Sequence, residues 1–296
     1  MSRVPRNVGD PLWETKIELY FLVNNQKLEN MPEGPECRLT VDFLNEALAS
    51  EVVTNWIFSG GKYTDEYPDG YETFDEALPL VLREVSCKGK FIYFTFIDND
   101  SKEYYVLHSL MMTGRWQKNH DDFCKWFLET EGGRTIWFRD PRAFATLSFT
   151  DDPDVLQTKL DSLGPDIMRP EFKLPLFKSL AVKYDNRNVT SFVMDQAVIS
   201  GCGNYIKAEA LYEAKISPLR KIAELSEAEL ESLYHALRII PRVSYNNKGV
   251  SLRDYADENG KAGYYGRDLK VYSKKGARKT STADGRTTYW DPNRQI

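Results

Sequence analysis

Metal-binding and membrane-crossing signals are what this chain lacks. Its four cysteines, Cys37, Cys87, Cys124 and Cys202, are widely spaced and form no C-x-x-C pair. That argues against a zinc ribbon, supplies no disulfide framework and points to a reducing compartment; neither a metal nor a cofactor is expected. No apolar run approaches the ~18 residues of a membrane span. The first thirty residues hold one short apolar run, Ile17 to Val23, and the acidic Asp10, Glu14, Glu18 and Glu29, so they read as neither a signal nor a transit peptide. The expectation is an intracellular protein, cytoplasmic or nuclear, with no membrane partner. An excess of positive charge is lacking too, since 39 Lys and Arg stand against 44 Asp and Glu, a net charge of -5. It is unevenly placed: residues 241–296 hold 12 Lys and Arg against 6 Asp and Glu, a balance of +6 that leaves -11 for residues 1–240. Such a basic end suits contacts to phosphate, or is simply a solvated tail.

What is present describes a globular chain. With 296 residues, 42% hydrophobic and 28% charged, two domains are the natural division. Behind Pro35, Leu39, Phe43, Leu44, Ala47 and Leu48 recur at helical spacing. Residues 51–116 then read as strands and turns, broken at Gly60-Gly61 and Pro68-Asp69-Gly70, which fits an antiparallel sandwich better than a βαβ array. A boundary is expected near Asp151-Asp152-Pro153, after which the composition turns helical. Val189 to Ile199 is a helix candidate that breaks at Gly201-Cys202-Gly203-Asn204 before a second helix through Ala214. No strand precedes those glycines and the third glycine is missing, so they are not a dinucleotide fingerprint. Ser226-Glu227-Ala228-Glu229 is a capping box that starts a helix running to about Pro241. At the end, Leu269 to Tyr272 and Gly285 to Trp290 read as strands of a hairpin, with Lys274, Lys275, Arg278 and Lys279 near its turn.

The stretch Met31-Pro32-Glu33-Gly34-Pro35-Glu36 carries the chemistry. If synthesis starts at Met31 and that methionine is trimmed, Pro32 becomes a terminal secondary amine beside the Glu33 carboxylate. The usual α-amino pKa lies about two to three units below that of lysine, which favours attack near neutral pH. Condensation with an aldehyde-level sugar carbon gives an iminium whose fixed positive charge withdraws electrons. Glu33 shuttles protons if a cleft raises its pKa from ~4.3. On these six residues alone, a turn leading into a helix remains the alternative.

This start resembles that of the formamidopyrimidine-DNA glycosylase / endonuclease VIII family, whose members use an N-terminal proline to excise oxidised bases. Later motifs follow in the family's order, so the resemblance covers residues 31 to 296. The Gly34 form leans towards the endonuclease VIII-like branch. The resemblance implies that Glu33 is the acid/base, that Glu36 supports it, and that Lys90, in Lys88-Gly89-Lys90-Phe91, contacts a phosphate near the lesion. Met111-Met112-Thr113-Gly114 resembles the loop whose methionine fills the gap left by an extruded base, which selects Met112. Arg139-Asp140-Pro141-Arg142-Ala143-Phe144 resembles the loop in which Arg142 faces the orphaned base and Phe144 wedges the stack. In extended chain those two point the same way, and inserted side chains offset part of the cost of unstacking a base. Core packing is the alternative for Met112 and Phe144. The double turn resembles a helix-two-turn-helix, with Asn204 and turn amides on a backbone phosphate; helix capping is its alternative. The final hairpin resembles the family's zinc finger. Asp291 and Arg294 stand where the last cysteine pair would fall, so the finger is zincless, and Arg286 keeps the place of the arginine aimed at the lesion-side phosphate.

The expected fold class is therefore α+β. A β-sandwich with a leading helix occupies residues 31–152, a helix-two-turn-helix domain 153–265 and a zincless β-hairpin finger 266–296, behind an extension at residues 1–30. The expected activity is that of a monomeric, bifunctional DNA glycosylase and AP lyase acting on damaged double-stranded DNA. If residues 1–30 stay attached, the Pro32 nitrogen is an amide, and the chain reads instead as a non-catalytic binder of damaged DNA.

Overall fold

The computed structural model describes residues 32–250 and 263–296. The expectation for residues 1–30 therefore lies outside the described residues.

The leading helix, α1 (Gly34–Leu48), buries Cys37, Val41, Leu44 and Leu48 along one stripe. Pro35 sits in its first turn, where a missing N–H costs nothing. Glu36 completes the start of the helix, as its Oε2 accepts the Glu33 backbone N–H at 3.0 Å.

Eight strands follow: β1 (Val52–Phe58), β2 (Leu80–Lys88), β3 (Phe91–Ile97), β4 (Glu103–Ser109), β5 (Arg115–Gln117), β6 (Cys124–Thr130), β7 (Thr135–Arg139) and β8 (Thr146–Thr150). They hydrogen-bond antiparallel in the order β5-β7-β6-β1-β2-β3-β4-β8. Alternate residues of each strand point inward, and the sheet folds so that its two ends face one another. Trp56 of β1 meets Trp116 of β5 at 5.9 Å and Phe149 of β8 at 5.2 Å between ring centroids, both edge to face. Such geometry is the one aromatic quadrupoles favour. A short helix, α2 (Tyr71–Ala77), adds Tyr71 and Phe74 to the same core.

The helical part begins with α3 (Pro153–Asp161), whose first turn is capped by Asp152 accepting the Asp154 N–H at 2.9 Å. It continues with α4 (Leu174–Lys183), α5 (Val189–Met194), α6 (Asn204–Glu213) and α7 (Glu227–Asn246). These pack around a second core that includes Phe172, Phe177, Phe192, Tyr205 and Leu237. The capping box at Ser226 and Glu229 is formed, with Ser226 N–H donating to Glu229 Oε2 at 2.7 Å.

Three expectations are corrected. Helix α5 stops at Met194 rather than Ile199, because the chain turns at Asp195, whose carbonyl accepts the Val198 and Ile199 amides. Helix α7 continues past Pro241 to Asn246; its last turns are anchored by Ser244 to Tyr205 at 3.0 Å and by Tyr245 to Asp42 at 2.5 Å. Residues 269–272 are not a strand. The buried Glu209 carboxylate of α6 gathers the backbone N–H groups of Lys270, Val271 and Tyr272 at 2.7–2.9 Å, which bends the chain around it. The hairpin is instead β9 (Arg278–Ser281) with β10 (Thr287–Trp290), paired antiparallel from Thr287–Ser281 to Trp290–Arg278. Arg278 and Lys279 thus lie in a strand, while Lys274 and Lys275 precede it.

Candidate functional site

The start motif, the β2–β3 turn, the double turn before α6 and the C-terminal hairpin converge on one place. Gly34 N–H donates to the Gly201 carbonyl at 3.0 Å, which joins the head of α1 to the double turn. Gly89 sits at φ +60°, gives its N–H to Asp166 Oδ2 at 2.9 Å, and approaches the double turn so closely that a Cβ would lie 2.6 Å from the Gly201 nitrogen. Only glycine fits there at low cost, and the next residue is Lys90.

Pro32 is buried, and beside it Glu33 is 2% exposed. The Glu33 carboxylate lies across the N-terminus of α6, where Oε1 accepts the Tyr205 N–H at 2.8 Å and Oε2 the Ile206 N–H at 3.2 Å. Helix amides and the nearby Lys90 ammonium favour the anion, but burial outweighs them, and the pKa of Glu33 rises to about 7. Gly203 makes this possible, since a Cβ there would stand 2.1 Å from the Glu33 carboxyl carbon.

Glu36 is equally buried and ties three elements together. Besides the Glu33 amide, it accepts the Val250 N–H at 2.9 Å and the Tyr205 hydroxyl at 3.3 Å. Its pKa is raised by burial. Lys90 is half-buried; desolvation lowers its pKa, the Glu33 carboxylate opposes that, and the Arg286 guanidinium reinforces it. Glu33, Lys90 and Arg286 therefore share one electrostatic site.

Asn204 begins α6 and holds the strand next to Arg286, donating from Nδ2 to the Thr287 carbonyl at 3.0 Å. Its buried Oδ1 has no hydrogen-bond partner among the described residues. Asn204 thus ties α6 to the hairpin through one of its two amide N–H donors.

Met112, Arg142 and Phe144 form a separate constellation. Met112 is 2% exposed, and the exposed Arg142 reaches its sulfur from Nη1 at 3.5 Å, while Phe144 is half-buried. Met111 and Ala143, one in each loop, both take positive φ of 54°. Asp140, fully buried, locks the two loops together: it accepts the Thr113 hydroxyl, the Arg142 N–H at 3.3 Å and the Ala145 N–H at 2.8 Å.

Sequence reasoning passed over Tyr205, Gly203, Asp140, Lys207 and Asp284. The first two adjoin a residue already singled out, and the doubled glycine was the available signal. Asp140 stands inside the Arg139 to Phe144 motif and bonds within it as well as to Thr113, whereas Lys207 and Asp284 meet across 77 residues of chain, which no local pattern announces. Among the described residues, no three His, Cys, Asp or Glu side chains gather to hold a metal ion, and no helix is long and apolar enough to cross a membrane.

Known proteins resemble this chain over most of its length. Residues 31–147 match the formamidopyrimidine-DNA glycosylase N-terminal domain, and residues 163–255 match the formamidopyrimidine-DNA glycosylase H2TH domain. The formamidopyrimidine-DNA glycosylase of Novosphingobium aromaticivorans is 30% identical over 278 residues, covering 90% of this chain and 100% of that protein. That of Carboxydothermus hydrogenoformans is 30% identical over 254 residues, covering 83% of this chain and 90% of its own. The MutM (Fpg) protein from Thermus thermophilus superposes with a TM-score of 0.77 at 26% identity, over 89% of this chain and 98% of that one. The Lactococcus lactis Fpg, solved with DNA containing an abasic site, shares the fold at 20% identity, with a TM-score of 0.76 over 89% and 99% of the two chains.

Proposed function

The chain belongs to the formamidopyrimidine-DNA glycosylase family, and from that premise we propose that it is a bifunctional DNA glycosylase and AP lyase of base excision repair, acting on oxidised bases in double-stranded DNA through Pro32. Its domains are the sandwich at residues 31–152, the helix-two-turn-helix region at 153–265 and an endonuclease VIII-like, zincless finger at 266–296.

The observation that carries this reading is the Glu33 carboxyl group, buried next to Pro32 with a pKa near 7. A group so poised gives and takes a proton at neutral pH, which a proline-dependent excision requires. The Pro32 nitrogen bonds to the sugar C1′, and the base departs with the electrons of its glycosidic bond and gains a proton. Opening of the sugar ring leaves an iminium at C1′. Removal of a C2′ proton then expels the 3′ phosphate and cuts the strand, with Glu33 as the proton carrier. Lys90 and Arg286 supply cationic contacts to phosphate beside it. Met112 leaves its packed position to fill the vacated stack with Arg142 and Phe144, while Glu36 fixes the backbone of Glu33. Asn204 reaches phosphate through its second amide N–H.

Protein beginning at Pro32 is incubated with a duplex carrying an oxidised base, and borohydride is added. A covalent protein–DNA adduct is expected; its absence refutes proline catalysis. A second reading is favoured by the thirty-one residues written ahead of Pro32, which would keep its nitrogen an amide and leave a damaged-DNA binder. N-terminal sequencing of protein from its native source separates the two.

A further inference from the structure

A cavity of about 240 Å³ opens at the seam between the sandwich and the helical part. Gly34, two residues from Pro32, forms part of its wall, and three arginines line it: Arg38 from α1, Arg169 from the segment between α3 and α4, and Arg242 from α7. The one carboxylate in the lining, Asp166, is already occupied, as Oδ2 accepts the Gly89 N–H at 2.9 Å and Oδ1 the Met168 N–H at 2.8 Å. Asp42, one turn after Arg38 on α1, takes the Tyr245 hydroxyl at 2.5 Å. Arg169 gives one N–H to the Cys87 carbonyl at 3.2 Å. Arg238, one turn before Arg242, is directed to the Ile167 and Arg169 carbonyls. Burial lowers the pKa of Arg38, but the Cys87 thiol, which it meets in a hydrogen bond, and the Asp42 carboxylate outweigh it and raise the value.

The lining sets three guanidinium groups against the single Asp166 carboxylate, and like charges repel where counter-charge is short. Each guanidinium carries five N–H donors in a fork that matches oxyanions; the bonds of Arg38 to the Cys87 thiol and of Arg169 to the Cys87 carbonyl use only part of that capacity. A water takes about 30 Å³, so the cavity has room for roughly eight waters or one pyrophosphate with a few waters. We propose that this seam is a second anion site, built for a phosphate or pyrophosphate group that bridges the two parts of the molecule. Arg38 stands on one part and Arg169 and Arg242 on the other, so an anion held by all three fixes their relative position and, through Gly34, the start motif.

The test uses the full chain and does not depend on glycosylase activity. Pyrophosphate is titrated at constant ionic strength while thermal unfolding is followed for the wild type, Arg38→Gln and Arg242→Gln. A saturable rise in Tm is expected for the wild type, since a ligand that binds only the folded state stabilises it. Each variant should bind at least about tenfold more weakly, the loss of one charge-assisted contact. Arg242 is exposed, so Arg242→Gln retains its fold, and its Tm without pyrophosphate is at least that of the wild type. Equal stabilisation of all three proteins, or no stabilisation of the wild type, overturns the site. In a second arm, saturating undamaged duplex is added, and the pyrophosphate effect is expected to persist. Its loss overturns a free anion as the occupant and identifies a DNA backbone phosphate instead.

Discussion

Lys207 Nζ and Asp284 Oδ2 lie 2.5 Å apart with side chains 0% and 3% exposed, so α6 and the hairpin are joined by an ion pair closed to solvent. Asp284 also accepts the Thr282 hydroxyl at 2.5 Å, and Thr282 meets Thr288 across the hairpin at 2.7 Å. Together with the Asn204–Thr287 bond, this network fixes the turn that presents Arg286 by polar contacts from the chain itself. A buried pair adds little net stability relative to a hydrophobic replacement, but losing one partner strands the other charge.

Lys207→Met should therefore destabilise the protein by about 3–5 kcal/mol. The double variant Lys207→Met with Asp284→Leu should recover much of that loss. Urea unfolding of the wild type, Lys207→Met, Asp284→Leu and the double variant measures it; a double variant as unstable as the sum of the two single changes would contradict the pairing.

Glu33 and His108 should give pH dependences of opposite sign. The folded-state pKa of Glu33 is raised to about 7 by burial, so its contribution is present at low pH and lost as pH rises from 4.5 through 7. That loss amounts to roughly 3 kcal/mol. His108 is buried between Thr146 and Trp116, and its pKa falls to about 4. Its contribution is present above 6.5 and lost as pH falls through 4, again by roughly 3 kcal/mol. Relative to wild type, Glu33→Gln should make stability climb more steeply between pH 4.5 and 7, and His108→Gln should make it climb less. Stability measured by urea at half-unit steps checks both signs.

Gly203→Ala puts a methyl group where the Glu33 carboxyl carbon lies. Excision by protein beginning at Pro32 should fall by about 10²-fold or more, the range of general acid–base catalysis. Single-turnover rates across pH 5–9 test this, and a wild-type rate and profile would mean that the position of Glu33 is immaterial.

Asp140→Ala removes the acceptor shared by Thr113, Arg142 and Ala145. The buried donors left behind should cost roughly 2–3 kcal/mol. Excision from duplex DNA should fall more than binding of DNA with a preformed gap opposite a single base, because the loops that enter the stack lose their common anchor. An equal fall in both would assign Asp140 to stability alone.

The sequence by itself determined the α+β architecture and the leading helix with its proline and glutamate. It did so because helical and strand periodicities and the constraints of Pro35 and Gly34 act over a few neighbours. Its local reading erred where distant side chains decide the path: Glu209 bends residues 269–272 away from a strand, and contacts from Ser244 and Tyr245 carry α7 beyond Pro241. Only the tertiary structure decided that the Glu33 carboxyl lies on the α6 amides with a pKa near 7, and that Lys207 holds Asp284. Desolvation depends on what the rest of the chain packs around a group, and segments 77 and 172 residues apart in sequence meet only in the folded molecule.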